Sequence, residues 1–251
     1  MFRENTVALV TGAAAGIGKA TALAFARAGC DVVLADRDEP RGRQAAAEVE
    51  ALGRQALFVT TDMADAAQIT ALHQAIMARF GRLDIACNNA GIEGERGATA
   101  DCSLANFDRV IAINLRGVFV CMKEQLAIMA AQGSGAIVNI ASVAGLVGFA
   151  GVPAYCASKG GVVQLTRAAA LEYATAGIRI NAVCPGVVAT EMIDRMTGKQ
   201  PEAEAEFAAL QPMNRMGTTQ EIADSIVWLC SQAAGFVTGV AMPVDGGFVA
   251  R

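Results

Sequence analysis

The strongest constraint on the fold is an alternation between short apolar runs and longer segments with helical periodicity. Most of the apolar runs are continuous, as is typical of parallel strands that helices cover on both faces. Each parallel connection needs a crossover, so strands that alternate with helices form a doubly wound sheet. We therefore predict an α/β fold with a parallel sheet of about seven strands and helices on both faces. The predicted strands are residues 6–11, 31–36, 56–60, 83–88, 135–141, 178–184 and 240–245.

Helix ends can be read at several places between these strands. Pro40 suits the start of a helix, and Gly53 and Gly81 suit helix ends. Asp65 and Ser103 are expected to be N-caps, because their side-chain oxygens can accept from free amides of a first turn.

The alternation runs over residues 1–251 without a linker, a repeat or a low-complexity segment. This predicts a single domain. The exception is an insertion around residues 187–216, which separates the last two predicted strands. Long excursions of this kind in compact domains are usually lids or disordered segments, and we expect a substrate lid.

Composition excludes several classes of function. The net charge is -4 and Lys and Arg form no dense stripe, which argues against a nucleic-acid partner. No C-x-x-C pattern occurs among the seven cysteines, and His73 is the single histidine, so we expect neither a metal site nor a Ser-His-Asp arrangement. His73 is interpreted as structural.

The location of the chain is predicted from its cysteines and its apolar segments. Cysteines without a pairing pattern are typical of free thiols in a reducing cytoplasm. The amino terminus shows no signal-peptide pattern. Residues 125–158 carry no charge, but glycines, Asn139 and Pro153 interrupt them, so no membrane span is expected. We therefore expect a cytoplasmic protein.

A glycine-rich segment, TGAAAGIG, follows the first predicted strand and opens a helix. Gly12 can form a tight turn, Gly16 lets the backbone approach a ligand, and Gly18 allows close packing of the helix. The amides at the helix start then face the site of a pyrophosphate. This pattern predicts a dinucleotide-binding loop.

Asp36 ends the second predicted strand, twenty residues after Gly16. A carboxylate at this place can accept a hydrogen bond from a ribose 2′-hydroxyl and repels a 2′-phosphate. Arg37 is the opposing signal, because a guanidinium could bind that phosphate. No basic residue lies within the glycine-rich segment, so NAD is preferred to NADP.

The pentapeptide YCASK places Tyr155 and Lys159 one helical turn apart, at the edge of the uncharged segment. A nearby cation favours the phenolate and should lower the pKa of the tyrosine. A general acid or base works best when its pKa is near the operating pH. Ser142 follows the fifth predicted strand, where ligands bind in parallel sheets. These three residues predict proton transfer to or from an alcohol or carbonyl oxygen.

Taken together, the motifs resemble those of the short-chain dehydrogenase/reductase family, whose compact members have a single Rossmann-type domain. The resemblance extends over essentially the whole chain. The matching pieces are TGAAAGIG, Asp36, Asp62, NNAG at 88–91, Asn114 in INLRG, Ser142, YCASK, PGVVAT at 185–190 and the closing VTGVAMPVDGG.

The resemblance implies roles for the candidate residues. Tyr155 transfers the proton, Ser142 binds the substrate oxygen, and Lys159 lowers the Tyr155 pKa and holds the nicotinamide ribose. Asn114 would hold a relay water through its backbone. The residues expected to contact the cofactor are Gly12, Gly16, Ile17, Gly18, Asp36, Arg37, Asp62, Met63, Asn89, Ala90, Gly91, Tyr155, Lys159, Pro185, Gly186, Val188 and Thr190.

The substrate is expected to be a small neutral secondary alcohol or ketone. Glu93 and Glu95 lie near the predicted mouth and disfavour anions, although Arg195 and Arg215 could bind a charged group. Candidates for an apolar pocket, which could equally be core residues, are Leu146, Val147, Phe149, Val152, Met192, Ile193 and Met196.

The same motifs are compatible with three other functions and with an oligomeric assembly. The resemblance also allows an NADPH-dependent 3-oxoacyl-thioester reductase or a sugar dehydrogenase. A non-catalytic dinucleotide-binding regulator is a further alternative, since a fold alone does not define function. The resemblance implies a homotetramer, paired through the helices after the fourth and fifth strands and through the last helix and strand; a dimer is the second choice.

Overall fold

Seven parallel strands form one sheet in a computed structural model of the chain, which describes residues 2–250. The strands are β1 (Val7–Thr11), β2 (Asp31–Asp36), β3 (Ala56–Thr60), β4 (Ile85–Asn88), β5 (Gly135–Ile140), β6 (Ile178–Pro185) and β7 (Ala241–Val244). Their order is β3-β2-β1-β4-β5-β6-β7. The order reverses between β1 and β4, and in open α/β sheets such a switch point opens a crevice for ligands.

Helices cover both faces of this sheet, as predicted. The helices are α1 (Gly16–Arg27), α2 (Glu39–Ala51), α3 (Ala66–Phe80), α4 (Leu104–Ile111), α5 (Gly117–Gln132), α6 (Pro153–Tyr173), α7 (Glu191–Thr197), α8 (Pro201–Ala209) and α9 (Thr219–Cys230). Alternate residues of β1 show the division between the two faces: Leu9 packs with α3, α5 and α6, whereas Ala8 and Val10 pack with α1, α2 and α9. Within residues 2–250, none of the helices has the length and apolar character of a membrane span.

The local signals at helix ends act as the sequence indicates. The Asp65 carboxylate accepts hydrogen bonds from two amides of α3, and the Ser103 hydroxyl accepts one from Asn106 at the start of α4. Gly81 ends α3 with φ of 69°, a conformation that favours glycine. His73 is buried in α3 with Nδ1 2.8 Å from the Ile69 carbonyl oxygen, which agrees with a structural position.

Strand boundaries differ from the predicted ones by at most two residues. The largest difference is in β4, which begins at Ile85 instead of residue 83. The reason is that the Leu83 amide donates to the side chain of Gln132 (3.0 Å), which takes it out of strand pairing.

The insertion predicted around residues 187–216 leaves the sheet and returns at a single point. Val188 and Gly217 form an isolated β-bridge, in which Ala189 donates to Gly217 (2.9 Å) and Gly217 donates to Val187 (2.9 Å). Between these positions the chain forms α7 and α8. The excursion is therefore helical and closed at its base.

Candidate active site

The loop between β1 and α1 presents its backbone to the crevice. Gly12 and Gly16 have backbone φ angles of +65° and +54°, which residues other than glycine rarely adopt. A Cβ at Gly18 would overlap the Gly12 carbonyl oxygen, so glycine allows the helix to pass close behind the loop. No side chain caps the start of α1 at Ala15. Its first amides are available to an anionic ligand.

A side-chain bridge fastens this loop to the end of β4. Asn89 donates through Nδ2 to the carbonyl oxygens of Thr11 (2.9 Å) and Gly12 (3.2 Å). In return, the Thr11 hydroxyl oxygen accepts from the amides of Asn89 (3.0 Å) and Ala90 (3.1 Å). Thr11 is not a predicted site residue, because a threonine inside an apolar strand has no distinctive pattern.

Asp36 lies at the carboxyl end of β2 and faces the glycine-rich loop. Its Oδ2 accepts from the Ala14 amide (2.9 Å) and its Oδ1 from the Asp38 amide (3.0 Å). These two bonds fix the carboxylate at the edge of the crevice. Arg37 follows it with an exposed side chain.

Ser142, Tyr155 and Lys159 meet at the carboxyl end of β5, as their positions predict. The Ser142 and Tyr155 side chains are neighbours that line the crevice together. Lys159 is buried, and its Nζ donates to the Ile140 carbonyl oxygen (2.7 Å). The same Nζ lies 5.6 Å from the centre of the Tyr155 ring. A hydroxyl pair and a cation thus lie together at one end of the crevice.

The prediction that Lys159 lowers the Tyr155 pKa requires a correction. Burial raises the pKa of Tyr155 to about 12, and the neighbouring Ser142 side chain lowers it by less. Burial also lowers the pKa of Lys159 to about 8. Both groups occupy the same enclosed space, where burial disfavours the charged form of each. Without a ligand, the ammonium does not offset the cost of a buried phenolate.

Asn114 lies behind the crevice, in a π-helical turn between α4 and α5. Its Nδ2 donates to the Ile92 carbonyl oxygen (2.8 Å) and to the Ser158 hydroxyl (3.2 Å). Its Oδ1 accepts from the Ile92 amide (2.9 Å). The side chain therefore joins the loop after β4 to α6. It holds neighbours of the site in place and does not line the crevice.

The crevice has a volume of about 440 Å³ and collects nearly all predicted cofactor residues. Gly18 is the exception, because it packs behind the loop. The predicted residues that line the crevice, with Ser142, are Gly12, Gly16, Ile17, Asp36, Arg37, Asp62, Met63, Asn89, Ala90, Gly91, Tyr155, Lys159, Pro185, Gly186, Val188 and Thr190.

The apolar end of the crevice only partly matches the predicted pocket. Leu146 and Val147 do not line it: Leu146 packs against the core and Val147 is exposed. Phe207 and Leu210 of the helical excursion line it and are not predicted, because the sequence of an excursion gives no sign of where it folds back. The predicted residues that do line it are Phe149, Val152, Met192, Ile193 and Met196.

Two ion pairs fasten the excursion to the rest of the chain. Arg41 of α2 contacts both carboxylate oxygens of Glu191 at 2.9 Å. Arg195 contacts Glu93, with Nε 3.1 Å from Oε1. Arg215, the other candidate for a charged substrate group, pairs with Glu221 instead and does not line the crevice.

Comparisons with known proteins identify the family to which this chain belongs. The chain belongs to the short-chain dehydrogenase/reductase family and is an oxidoreductase of that family. A family model described as enoyl-(acyl carrier protein) reductase matches residues 12–249. Members of this family bind a nicotinamide dinucleotide.

Individual relatives match over almost their full length. Cis-4-hydroxycyclohexanecarboxylate dehydrogenase of Sinomonas cyclohexanicum is 44% identical, with 99% of this chain and 98% of the relative covered. Cyclohexanol dehydrogenase of Acinetobacter sp. strain SE19 is 42% identical, with 99% and 96% covered. A crystal structure of levodione reductase has a TM-score of 0.96 at 39% identity, with 99% and 100% covered.

The crevice fits a dinucleotide on geometric grounds. A Cβ at Gly12 would come within 2.9 Å of the Ala90 Cα, so only backbone can form this wall. The free amides of α1 and the fixed carboxylate of Asp36 lie at one end, and the Ser142–Tyr155 pair lies at the other. One cleft thus offers partners for an anionic group, a ribose and a reacting oxygen.

Proposed function

We propose that this protein is an NAD-dependent dehydrogenase/reductase of secondary alcohols and ketones, with Tyr155 as its general acid and base. The observation that carries the proposal is that the Tyr155 and Ser142 side chains line one crevice together, beside the buried Lys159 ammonium. The chain contains one histidine, which lies in α3 outside the crevice. We assign the proton transfer to the Tyr155 hydroxyl, because it lies next to the Ser142 hydroxyl at the end of the crevice.

The proposed steps divide the work among three side chains. The cofactor, when bound, accepts or supplies the hydride. The Ser142 hydroxyl holds the substrate oxygen. The Tyr155 hydroxyl donates its proton to that oxygen during reduction, and the phenolate removes a proton during oxidation. Lys159 stabilises the phenolate by its charge. Asn114 holds the loop after β4 against α6.

The first test replaces Tyr155 with Phe and follows nicotinamide absorbance. We expect turnover to fall at least about 100-fold, the usual contribution of a positioned general acid or base. Binding of NADH, followed by fluorescence, should stay within about threefold. Tyr173→Phe is the matched control, because Tyr173 is the other tyrosine and lies at the end of the same helix. Retained turnover in Tyr155→Phe would exclude the proposed role.

The proposed preference for NAD rests on Asp36. Its carboxylate is fixed by two amides and lies next to the loop where an adenosine ribose would be expected. The competing Arg37 is exposed, and the guanidinium of Arg41 is occupied by Asp38 and Glu191.

Asp36→Asn tests this preference, because it removes the charge and keeps the shape. We expect the ratio of kcat/KM for NAD to kcat/KM for NADP to fall at least about tenfold, as the repulsion of a 2′-phosphate disappears. Asp224→Asn, an exposed change on α9, should leave the ratio unchanged. An unchanged ratio in Asp36→Asn would assign the preference to other residues.

For the substrate we propose a secondary alcohol or ketone on an apolar, cyclic body. Support comes from the apolar lining by Phe149, Val152, Ile193 and Met196. The names of two relatives specify six-membered ring alcohols, cyclohexanol and cis-4-hydroxycyclohexanecarboxylate. The simplest probe is neutral cyclohexanol with NAD.

The second candidate is reduction of a 3-oxoacyl thioester with NADPH. It is kept because the matching family model is described by an acyl-carrier-protein substrate. Supplying cyclohexanone with NADH and a 3-oxoacyl thioester with NADPH in parallel decides between the two. Higher kcat/KM for the thioester would favour the second candidate. Tight NADH binding without turnover of either substrate would favour the regulator.

The organisation of the chain completes the proposal. Residues 1–251 would form one Rossmann-type domain, with residues 187–216 as a substrate lid. Support for the lid is its closed base at Val188 and Gly217 and the apolar side chains it adds to the crevice. We propose a cytoplasmic homotetramer; the seven free cysteines are typical of a reducing compartment.

A further inference from the structure

The acidic residues near the mouth of the crevice are both neutralised. Glu93 is paired with Arg195, with contacts of 3.1 and 3.3 Å. Glu95 lies outside the lining and is 3.7 Å from Arg109. These two carboxylates were the reason to expect a neutral substrate. Their pairing with arginines removes that reason.

Arg96 is a charged group of the same rim without an ionic partner. Arg96 lines the crevice, and its side chain is exposed. No carboxylate oxygen of residues 2–250 lies within 4.0 Å of its guanidinium nitrogens, the distance of an ion pair. The rim formed by Glu93, Arg195 and Arg96 therefore has a net positive charge.

Phe207 of α8 supports the Arg96 guanidinium. The guanidinium carbon is 6.0 Å from the centre of the Phe207 ring. Contact with a ring restricts the guanidinium but leaves N–H donors free, and these match the two oxygens of a carboxylate. The arrangement provides an anchored donor instead of a freely moving surface arginine.

Arg96 lies at the substrate end of the crevice. The neighbouring Gly97 donates its amide to the Gly151 carbonyl oxygen (3.0 Å), which joins this loop to the segment between Ser142 and α6. Phe207 belongs to the excursion that covers the apolar pocket. The charged residues of the opposite end, Asp36 and Arg37, belong to β2 and the residue after it.

We infer that Arg96 binds a carboxylate that the substrate carries on the side of its ring away from the reacting carbon. The substrate class is thus a cyclic hydroxy- or oxo-carboxylate, with its apolar ring between the Ser142–Tyr155 pair and the rim. This inference rests on the proposed function and deepens it. A charge-assisted, two-pronged hydrogen bond is the interaction that separates such a substrate from a neutral ring.

The test compares cis-4-hydroxycyclohexanecarboxylate with cyclohexanol, which share the ring and the alcohol. In the wild type, kcat/KM with NAD should be at least about tenfold higher for the carboxylate, mainly through KM. Arg96→Gln should reduce this ratio at least about tenfold, and Arg96→Lys should restore part of it. Arg27→Gln, on the exposed end of α1, should leave the ratio unchanged. A ratio that is near one in the wild type, or the same in Arg96→Gln, overturns the inference.

A binding measurement separates this inference from the proposed function. Cyclohexanecarboxylate, which has no alcohol to oxidise, is titrated by calorimetry into the wild type and Arg96→Gln in the presence of NADH. Binding that Arg96→Gln weakens at least about tenfold supports the carboxylate site, whether or not any alcohol is turned over. Equal binding to both proteins, or none to the wild type, overturns it. Turnover of cyclohexanol that is lost in Tyr155→Phe supports the proposed function independently.

Discussion

Lys159 is enclosed at the end of β5, where its charge is needed but costs stability. Its side chain is buried, with one hydrogen bond from Nζ to the Ile140 carbonyl oxygen. Burial lowers the pKa of Lys159 from 10.5 to about 8. At neutral pH the folded protein therefore holds a buried cation that an unfolded chain would expose to water. Functional sites often carry such a cost.

Lys159→Met should stabilise the unliganded protein at pH 7. The wild-type ammonium costs on the order of 3 kcal/mol, since each pKa unit corresponds to about 1.36 kcal/mol, and the lost hydrogen bond subtracts about 1 kcal/mol. The gain should be full below pH 8 and should shrink as the pH rises towards 10.5, because the unfolded lysine then also becomes neutral.

Urea denaturation at pH 7 and pH 9.5 measures this effect. Lys123→Met, an exposed change on α5, should give no gain that depends on pH. A lower free energy of unfolding for Lys159→Met at pH 7 would show that the ammonium is stabilised by its surroundings. Turnover should be lost in either case.

Site residues can be predicted from the sequence where a polar side chain lies next to a strand end or a helix start that the sequence itself indicates. Asp36 ends a strand, Ser142 follows one and Tyr155 lies at a helix start, so the place of these polar groups at one sheet edge follows from the alternation. Arg41 was not predictable, because its partner Glu191 is 150 residues away. The role of Arg96 depends on two features: no carboxylate of residues 2–250 pairs with it, and its guanidinium contacts the Phe207 ring of α8. No local sequence pattern contains either feature.

The turn after Ser142 determines where α6 lies. Gly145 ends this turn, and a Cβ there would come 2.7 Å from the Lys159 carbonyl oxygen and 3.2 Å from the Gly160 nitrogen. The missing side chain lets the turn touch the backbone of the helix that carries Tyr155. Glycine at this position therefore sets the distance between Ser142 and its partner.

Gly145→Ala should reduce kcat at least about tenfold by moving α6 away from Ser142. A displacement of about 1 Å in a catalytic group can cost on the order of 100-fold in rate. Gly148→Ala is the matched control in the same segment, since no atom lies within 4 Å of the Cβ it would add. Equal kcat values, measured at saturating NAD and cyclohexanol, would show that the turn can yield without moving the helix.

The fold was predictable to the level of its sheet because the strands lie between two layers of helices. A continuous apolar run such as 31–36 is stable only where both of its faces are buried, as in a parallel sheet covered by helices. The structure has a strand at each of the seven predicted runs. The two helices of the excursion were not predicted. Pro201 and the acidic first turn of α8 are start signals, but nine residues are too few for a stable isolated helix. Contacts such as that between Phe207 and Arg96 therefore support it.

Large apolar side chains remain exposed on two separate faces of the molecule. The first face carries Leu104, Phe119 and Leu171 on α4, α5 and α6. The second carries Trp228 of α9 and Phe236 before β7. Leu171 is 84% exposed and Phe236 fully so. Large apolar side chains that stay this exposed favour burial in an interface. Two independent faces are what the proposed homotetramer requires.

Charges placed on each face should divide the assembly in steps. The wild type should have a mass near four times 25.8 kDa by light scattering after gel filtration. Leu171→Glu and Phe236→Glu should each give dimers, because each leaves the other interface intact, and the double variant should give monomers. Leu52→Glu, at the end of α2 and on neither face, should remain tetrameric. A wild-type dimer that only one of the two changes dissociates would reduce the assembly to a single interface.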